Sequence, residues 1–298
     1  MSYDYRNTSD GLERYVEVFA QIFRNDLAKI GGVILLIFVL MAFFGPFVAP
    51  YEPTERQFTE SGGWASNEAP SSAHPLGTTN SAHDILSQLL YGARVALFAG
   101  FLTAILVGGV GTFAGILAGY YRGLTESVIM RIVDLAYGVP FLPFAIVLVI
   151  VLQPSIVNVV IAISLLLWRE TARIVRSEVL TIRELPMIEA ARASGANDVR
   201  IILYHIFPKV LPTTVLYSVF AVGWAILTEA GLSFLGLSDP NLISWGRMLQ
   251  EAYVSQALQL GAWYWILPPG LCIMLLVLSI YLISQGIEEL VNPKLRQR

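Results

Sequence analysis

Residues able to do chemistry are few and scattered. His74, His83 and His205 are too dispersed along the chain for a zinc set, and a loop or capping role suits each better. Cys272 is the only cysteine and sits in an apolar run, which excludes a disulfide or a cysteine zinc site within one chain. There is no G-x-x-x-x-G-K-S/T loop to cradle nucleotide phosphates, and no Ser-His-Asp set stands out. What remains is ionisable residues in unusual places. Arg169 and Glu170 directly follow an uncharged run, and Glu229 lies near the far end of another. Charged groups at membrane depth usually face protein or water, so Arg169, Glu170 and Glu229 are candidates for a pathway or gate. The alternatives are snorkelling of Arg169 and Glu170 to the interface, and a packing or hydrogen-bonding role for Glu229.

The most specific stretch is polar and runs from Glu189 to Pro208, EAARASGANDVRIILYHIFP. Pro186 suits the first turn of a helix, and Glu189 falls near that helix's positive end. Gly195 stops it. Asn197 and Asp198 are N-cap types, which predicts a second helix from there to Pro208, with Val199, Ile202, Leu203 and Ile206 along one face. Such a bent pair of short helices is either a solvated loop or a docking element.

The elements that position these residues are membrane spans. Of the 298 residues 55% are hydrophobic and only 14% charged, against roughly 25% in soluble domains, so the chain reads as a polytopic membrane protein. The net charge of -3 argues against a nucleic-acid binder. The polar N-terminus has no apolar h-region and is not a cleavable signal peptide.

Uncharged runs long enough to cross ~30 Å of hydrocarbon set the divisions. Residues 1–29 are a tail, with amphipathic character at Tyr15, Val16, Phe19 and Ile22. Spans follow at 30–50, 93–121, 126–152, 155–177, 210–233 and 263–286, with polar segments at 51–92 and 234–262 on one side. On the other side lie the loop 178–209 and the tail 287–298. Pro268 and Pro269 are expected to kink the entry to the sixth span. In the second span small residues recur at Ala96, Gly100, Ala104 and Gly108, then Gly111, Gly115 and Gly119, a spacing that lets helix backbones approach closely. Placing the 178–209 loop inside puts sixteen of the nineteen Lys and Arg on that side and leaves Arg56, Arg94 and Arg247 outside. This bias makes the loop and both termini cytoplasmic.

On its motifs the stretch resembles the cytoplasmic loop of ABC importer permeases, whose pattern is Glu-Ala-Ala, three residues, Gly, nine residues, then Ile-x-Leu-Pro. Glu189, Ala190, Ala191, Gly195 and Pro208 match, while His205 and Phe207 replace the Ile and Leu. Further matches point to the dipeptide, oligopeptide and nickel group, and within it to the second of two paired membrane subunits. These are His74-Pro75-Leu76-Gly77-Thr78 with Asp84, Ser87 and Gly92-Ala93-Arg94; Trp168, Ala172-Arg173, Val175-Arg176 and Glu178-Val179-Leu180; and Glu229-Ala230, Leu232 to Leu237, Ser244-Trp245-Gly246 and Met248. The chain departs from the group at Thr79, Ala82, His83 and Gln88, where the group usually has an acid, a glycine and two arginines.

The resemblance implies an all-α membrane protein of six transmembrane helices with the type I ABC importer permease architecture. Glu189, Ala190, Ala191, Ser194, Gly195, Asp198 and Pro208 would couple it to an ATPase. It also implies a homologous second permease, two cytoplasmic ATPase subunits that hold the ATP and Mg, an external binding protein, and the plasma membrane of a prokaryote. This chain itself would hold no cofactor. The cargo expected is a di- or oligopeptide, with nickel or a sugar behind. Other classes are an ion-coupled secondary transporter, which calls for inverted repeats and buried midplane acids, and a membrane-anchored scaffold.

Overall fold

A computed structural model describes residues 21–59, 61–237 and 239–291. Tyr15, Val16 and Phe19 of the expected amphipathic tail lie outside the described residues. Among these residues the regular structure is helical, with only isolated β-bridges around residues 56–84.

Helix α1 is Asp26–Val48, capped by Asn25, whose Oδ1 accepts from Leu27 N and Ala28 N. Helix α2 is Ile85–Tyr121, capped by Asp84. Both begin before the expected 30 and 93, because apolarity marks hydrocarbon depth whereas a helix runs on until a side chain satisfies its free N–H groups. The expected third span, 126–152, is two helices, α3 (Gly123–Gly138) and α4 (Phe141–Leu152), bent by 94°. Pro140 has no N–H and disfavours helix at Val139, so the break falls there.

Helix α5 (Ile156–Ile182) continues past Trp168, as its short uncharged part requires, and ends later than 177. The distal polar segment 234–262 carries a helix of its own, α9 (Trp245–Val254), which Ser244 caps. Helix α10 (Trp263–Val291) runs through Pro268 and Pro269 and outlasts the expected 286.

Between α5 and α9 come α6 (Pro186–Ala193), the short α7 (Asp198–Ile201), a π turn (Ile202–Ile206) and α8 (Phe207–Phe234). The second helix therefore does not end at Pro208. It is continuous from Asp198 to Phe234. Among the described residues four helices are long and apolar enough to cross a membrane, five with the bent pair counted as one. The charges of its second half keep α5 out of that set, yet it packs along α2 and α8.

Helix α2 is the centre of the bundle. An ideal Cβ on Gly111 would lie 2.6 Å from Thr171 Cβ, on Gly115 2.7 Å from Val175 Cβ, and on Gly119 2.7 Å from Val179 Cβ. The glycines thus let α2 and α5 run parallel at a distance that no other residue allows. On other faces Gly100 meets Val222 and Ile226 of α8, and Gly45 of α1 meets Leu90. Helices α1 and α10 pair antiparallel, and Asn25 Nδ2 donates to Glu289 Oε1 (2.5 Å). The described chain therefore starts and finishes at one end of the bundle. That end, called proximal here, also carries α6 and α7; the segment 49–84 and α9 lie at the distal end.

Candidate functional site

The proximal element is a hinge whose geometry follows from a few residues. Pro186 stands at the start of α6, where its missing N–H costs nothing. Gly195 adopts φ +82°, and two bonds close the helix around it: Ala196 N donates to Ala191 O (3.0 Å) and Gly195 N to Arg192 O (2.9 Å). This is a Schellman motif, which needs a residue tolerant of the left-handed region. Asn197 Oδ1 then accepts from Arg200 N (2.9 Å) and starts the next helix.

The hinge is fastened to the ends of α2 and α5. Ile188 and Ile201 are fully buried with Ile116, Tyr120, Val175, Val179 and Ile182. Tyr120 donates its hydroxyl to Asp198 Oδ1 (2.6 Å), and the Arg192 guanidinium lies 5.5 Å from the Tyr120 ring centre. Arg183 Nη1 donates to Tyr120 O (2.8 Å), closing the end of α2. Glu189, Ala190, Ser194 and Gly195 remain exposed, with Asp198 exposed beside them, whereas Ala191 turns partly into the cluster. Glu189 makes no hydrogen bond or ion pair among the described residues.

Of the expected apolar face, Ile206 is buried and Ile202 packs partly into the cluster, and the other two positions depart from it. Val199 and Leu203 are exposed, and the buried positions are Ile201, Ile206 and Val210. Their spacing of five and then four follows the π turn, where Phe207 N–H bonds Ile202 O. A 3.6-residue period cannot register that offset. Pro208, exposed at the first turn of α8, sits where the hydrogen-bond register shifts, so its absent N–H is accommodated.

Arg169, Glu170 and Glu229 are not brought together. Arg169 Nη1 donates to Ala136 O (2.6 Å) and its guanidinium lies 4.6 Å from the Tyr137 ring centre. Arg173 stacks on the same ring at 4.2 Å and pairs with Asp134 (2.7 Å), and Arg176 pairs with Glu126. One stripe of arginines on α5 thus clamps α3. Their i, i+4, i+7 spacing was the sequence signal for it. Glu170 points about 100° away from Arg169 around the helix and is exposed. Glu229 is 3% exposed and accepts from Ser233 Oγ (2.7 Å), with Ser244 and Asp239 lining the same small pocket.

The distal end is organised by Asp84, which is fully buried. Its Oδ1 lies 3.0 Å from His74 Nδ1, and its Oδ2 accepts from Ser87 N (2.8 Å) and Ser87 Oγ (2.7 Å). His74 is therefore a buried partner of Asp84 and not simply a loop residue. Gln88 Nε2 donates to Pro53 O (3.0 Å), and Thr79 Oγ1 accepts from His83 N (3.1 Å). The divergent positions thus form hydrogen bonds to the segment's backbone. Burial pushes the His83 imidazole below its ordinary pKa; Glu251 opposes this, and Arg56 and Arg247 reinforce it.

Residues 111–297 match the family described as binding-protein-dependent transport system inner membrane component, and residues 14–70 match the N-terminal TM domain of oligopeptide transport permease C. The chain is 35% identical over 281 residues to the glutathione transport system permease protein GsiD of Pectobacterium atrosepticum, covering 94% of this chain and 91% of that protein. It is 36% identical over 283 residues to the dipeptide transport system permease protein DppC of Alkalihalophilus pseudofirmus, covering 94% and 90%. A structure of the MetNI methionine ABC transporter in an inward-facing conformation shares the fold, with TM-score 0.53 at 18% identity over 69% of this chain and 95% of that one. These matches leave no room for the ion-coupled and scaffold alternatives. The chain belongs to the binding-protein-dependent transport system inner membrane component family, as a multi-pass permease subunit of an ABC importer with the type I fold and no catalytic centre of its own.

Proposed function

We propose that this chain pairs with a homologous second permease in the plasma membrane of a prokaryote and carries di- or oligopeptides handed over by an external binding protein. The glutathione and dipeptide permeases among its relatives support that cargo. The proximal end faces the cytoplasm, where the basic residues concentrate. Two ATPase subunits bind ATP and Mg there, and one of them receives α6 and α7.

The single observation that carries this reading is the exposed surface Glu189, Ala190, Ser194 and Gly195 on a hinge welded to α2 and α5 by Ile188, Ile201 and the Tyr120–Asp198 bond. A short helix held this firmly transmits displacement into the bundle instead of deforming. Because α7 is continuous with α8, a push on the hinge tilts a spanning helix directly. ATP and the loaded binding protein must each favour one bundle state over the other, since equal affinity for both shifts nothing. Glu229, bonded to Ser233, holds the distal end of α8 against α9 through the adjacent Ser244.

The test is cross-linking from a cysteine at Ser194, with Cys272 replaced, in membranes that contain the whole importer. We expect a covalent adduct with an ATPase subunit. Recovery of the permease free of any such adduct, with the reagent shown to have reacted, overturns the docking assignment.

A further inference from the structure

The arginine stripe of α5 has carboxylate, carbonyl and ring partners on α3, whereas Glu170 beside it makes no hydrogen bond or ion pair among the described residues and reaches α3 only through the effect of its charge on Tyr137. Glu170 is one of the residues lining a cavity of about 120 Å³ between α2, α5 and α8. The other walls include Val107, Thr171 and the aromatic residues Tyr217, Phe220 and Trp224. Tyr217 and Phe220 meet edge to face, with centroids 6.1 Å apart, and Trp224 is 60% exposed.

Depth makes this arrangement informative. Glu170 lies roughly 21 Å along α5 from its distal start, and Trp224 roughly 15 Å along α8 from its distal end, at about 1.5 Å per residue. Both are within the hydrocarbon thickness of the bilayer. An unpaired carboxylate at that depth is tolerated against water or protein and not against lipid. Aromatic faces beside a carboxylate form a site for a desolvated ammonium group, which the ring quadrupoles and the anion attract together.

We propose that Glu170, with Tyr217, Phe220 and Trp224, forms a station on the translocation path that binds the ammonium group of the passing substrate. The proposal rests on the importer reading and narrows it to substrates with a free amine. The cavity is half open and small, so it holds the charged end of a peptide and leaves the rest free. A weak site of this kind lets the substrate leave as readily as it enters.

The experiment uses the assembled importer in nanodiscs, with Cys272→Ala and Trp224→Cys introduced, and compares modification by cationic and anionic methanethiosulfonates of similar size. At a separation of about 6 Å a carboxylate would change each rate roughly threefold in water, in opposite directions, so the cation-to-anion rate ratio is expected to fall by up to roughly tenfold on Glu170→Gln. Glu170→Asp restores it. Phenylalanyl-alanine slows the cationic reagent, and its N-acetyl derivative does not.

A ratio unchanged by Glu170→Gln, or a thiol closed to both reagents, overturns the proposal, as does equal protection by the two peptides. Should Trp224→Cys fail to assemble, Tyr217→Cys reports on the same cavity. Failure of the unmodified importer to take up any peptide would instead count against the peptide assignment, and the thiol ratio reads the cation site independently of it.

Discussion

Replacing Gly195 isolates the hinge from every other feature of the molecule. Its φ is +82°, and an ideal Cβ there would meet no atom within 4 Å, so substitution strains the backbone and nothing else. Alanine in the left-handed region costs about 1–2 kcal/mol, and a β-branched residue lies toward the upper part of the 1–3 kcal/mol range for such outliers. Asparagine, which visits this region readily, costs less. The order of damage is therefore Gly195→Asn, then Gly195→Ala, then Gly195→Val. About 2 kcal/mol is roughly a thirtyfold shift in the equilibrium between the closed Schellman turn and any alternative. Membrane insertion is unaffected, because the substitution lies outside the spans. Uptake of labelled dipeptide and ATP hydrolysis are measured together in proteoliposomes containing the whole importer. Transport per ATP is expected to fall in that order, by up to roughly thirtyfold for Gly195→Val. A Gly195→Val importer that moves as much substrate per ATP as the parent would refute the claim that the bend transmits force.

Other parts of the molecule respond to separate perturbations. Tyr120→Phe removes the hydroxyl that holds Asp198; a loss of about 1 kcal/mol should speed hydrogen exchange across 186–206 roughly fivefold, and unchanged exchange would show that the apolar cluster alone holds the hinge. Gly115→Val forces side-chain atoms against Ala172 O and Val175 and should cost about 1–3 kcal/mol, read as a lower thermal midpoint of the detergent-solubilised importer. Gly109→Ala, with open space around its Cβ, is the control expected to leave the midpoint unchanged or raised. Since the fold lowers the His83 pKa from 6.5, the unfolded segment binds protons first; its contribution to stability is complete above pH 6.5 and is lost as pH falls toward the lowered value. Protection factors of residues 49–84, with the intrinsic pH dependence of exchange divided out, should therefore fall on acidification, and His83→Gln should flatten that response.

Much of this protein was legible in its residues. Uncharged runs and the distribution of Lys and Arg establish a polytopic chain and place the Glu189–Pro208 stretch between spans, because burial of charge in hydrocarbon is costly wherever it occurs. Gly195 and Asn197 announce the hinge for an equally local reason, since a positive φ and an N-cap are requirements of single residues. The glycine spacing in α2 announces a close helix contact, although not with which partner.

Other features exist only because distant segments meet. Ile206 is buried as its spacing suggested, but Val199 and Leu203 are exposed and Ile201 is buried in their place, with a π turn between Ile201 and Ile206. Arg169 looks like a pathway charge until α3 folds back to give it Ala136 O and Tyr137, which leaves Glu170 as the carboxylate facing the cavity. Asp84 and His74 lie ten residues apart, and only the folded distal segment makes them a buried pair. Sequence alone determines what each residue can tolerate locally: which runs bear charge, where the chain turns, where a helix starts. Tertiary structure decides which charges find partners and which stay free, because pairing depends on the company that packing brings within a few ångströms.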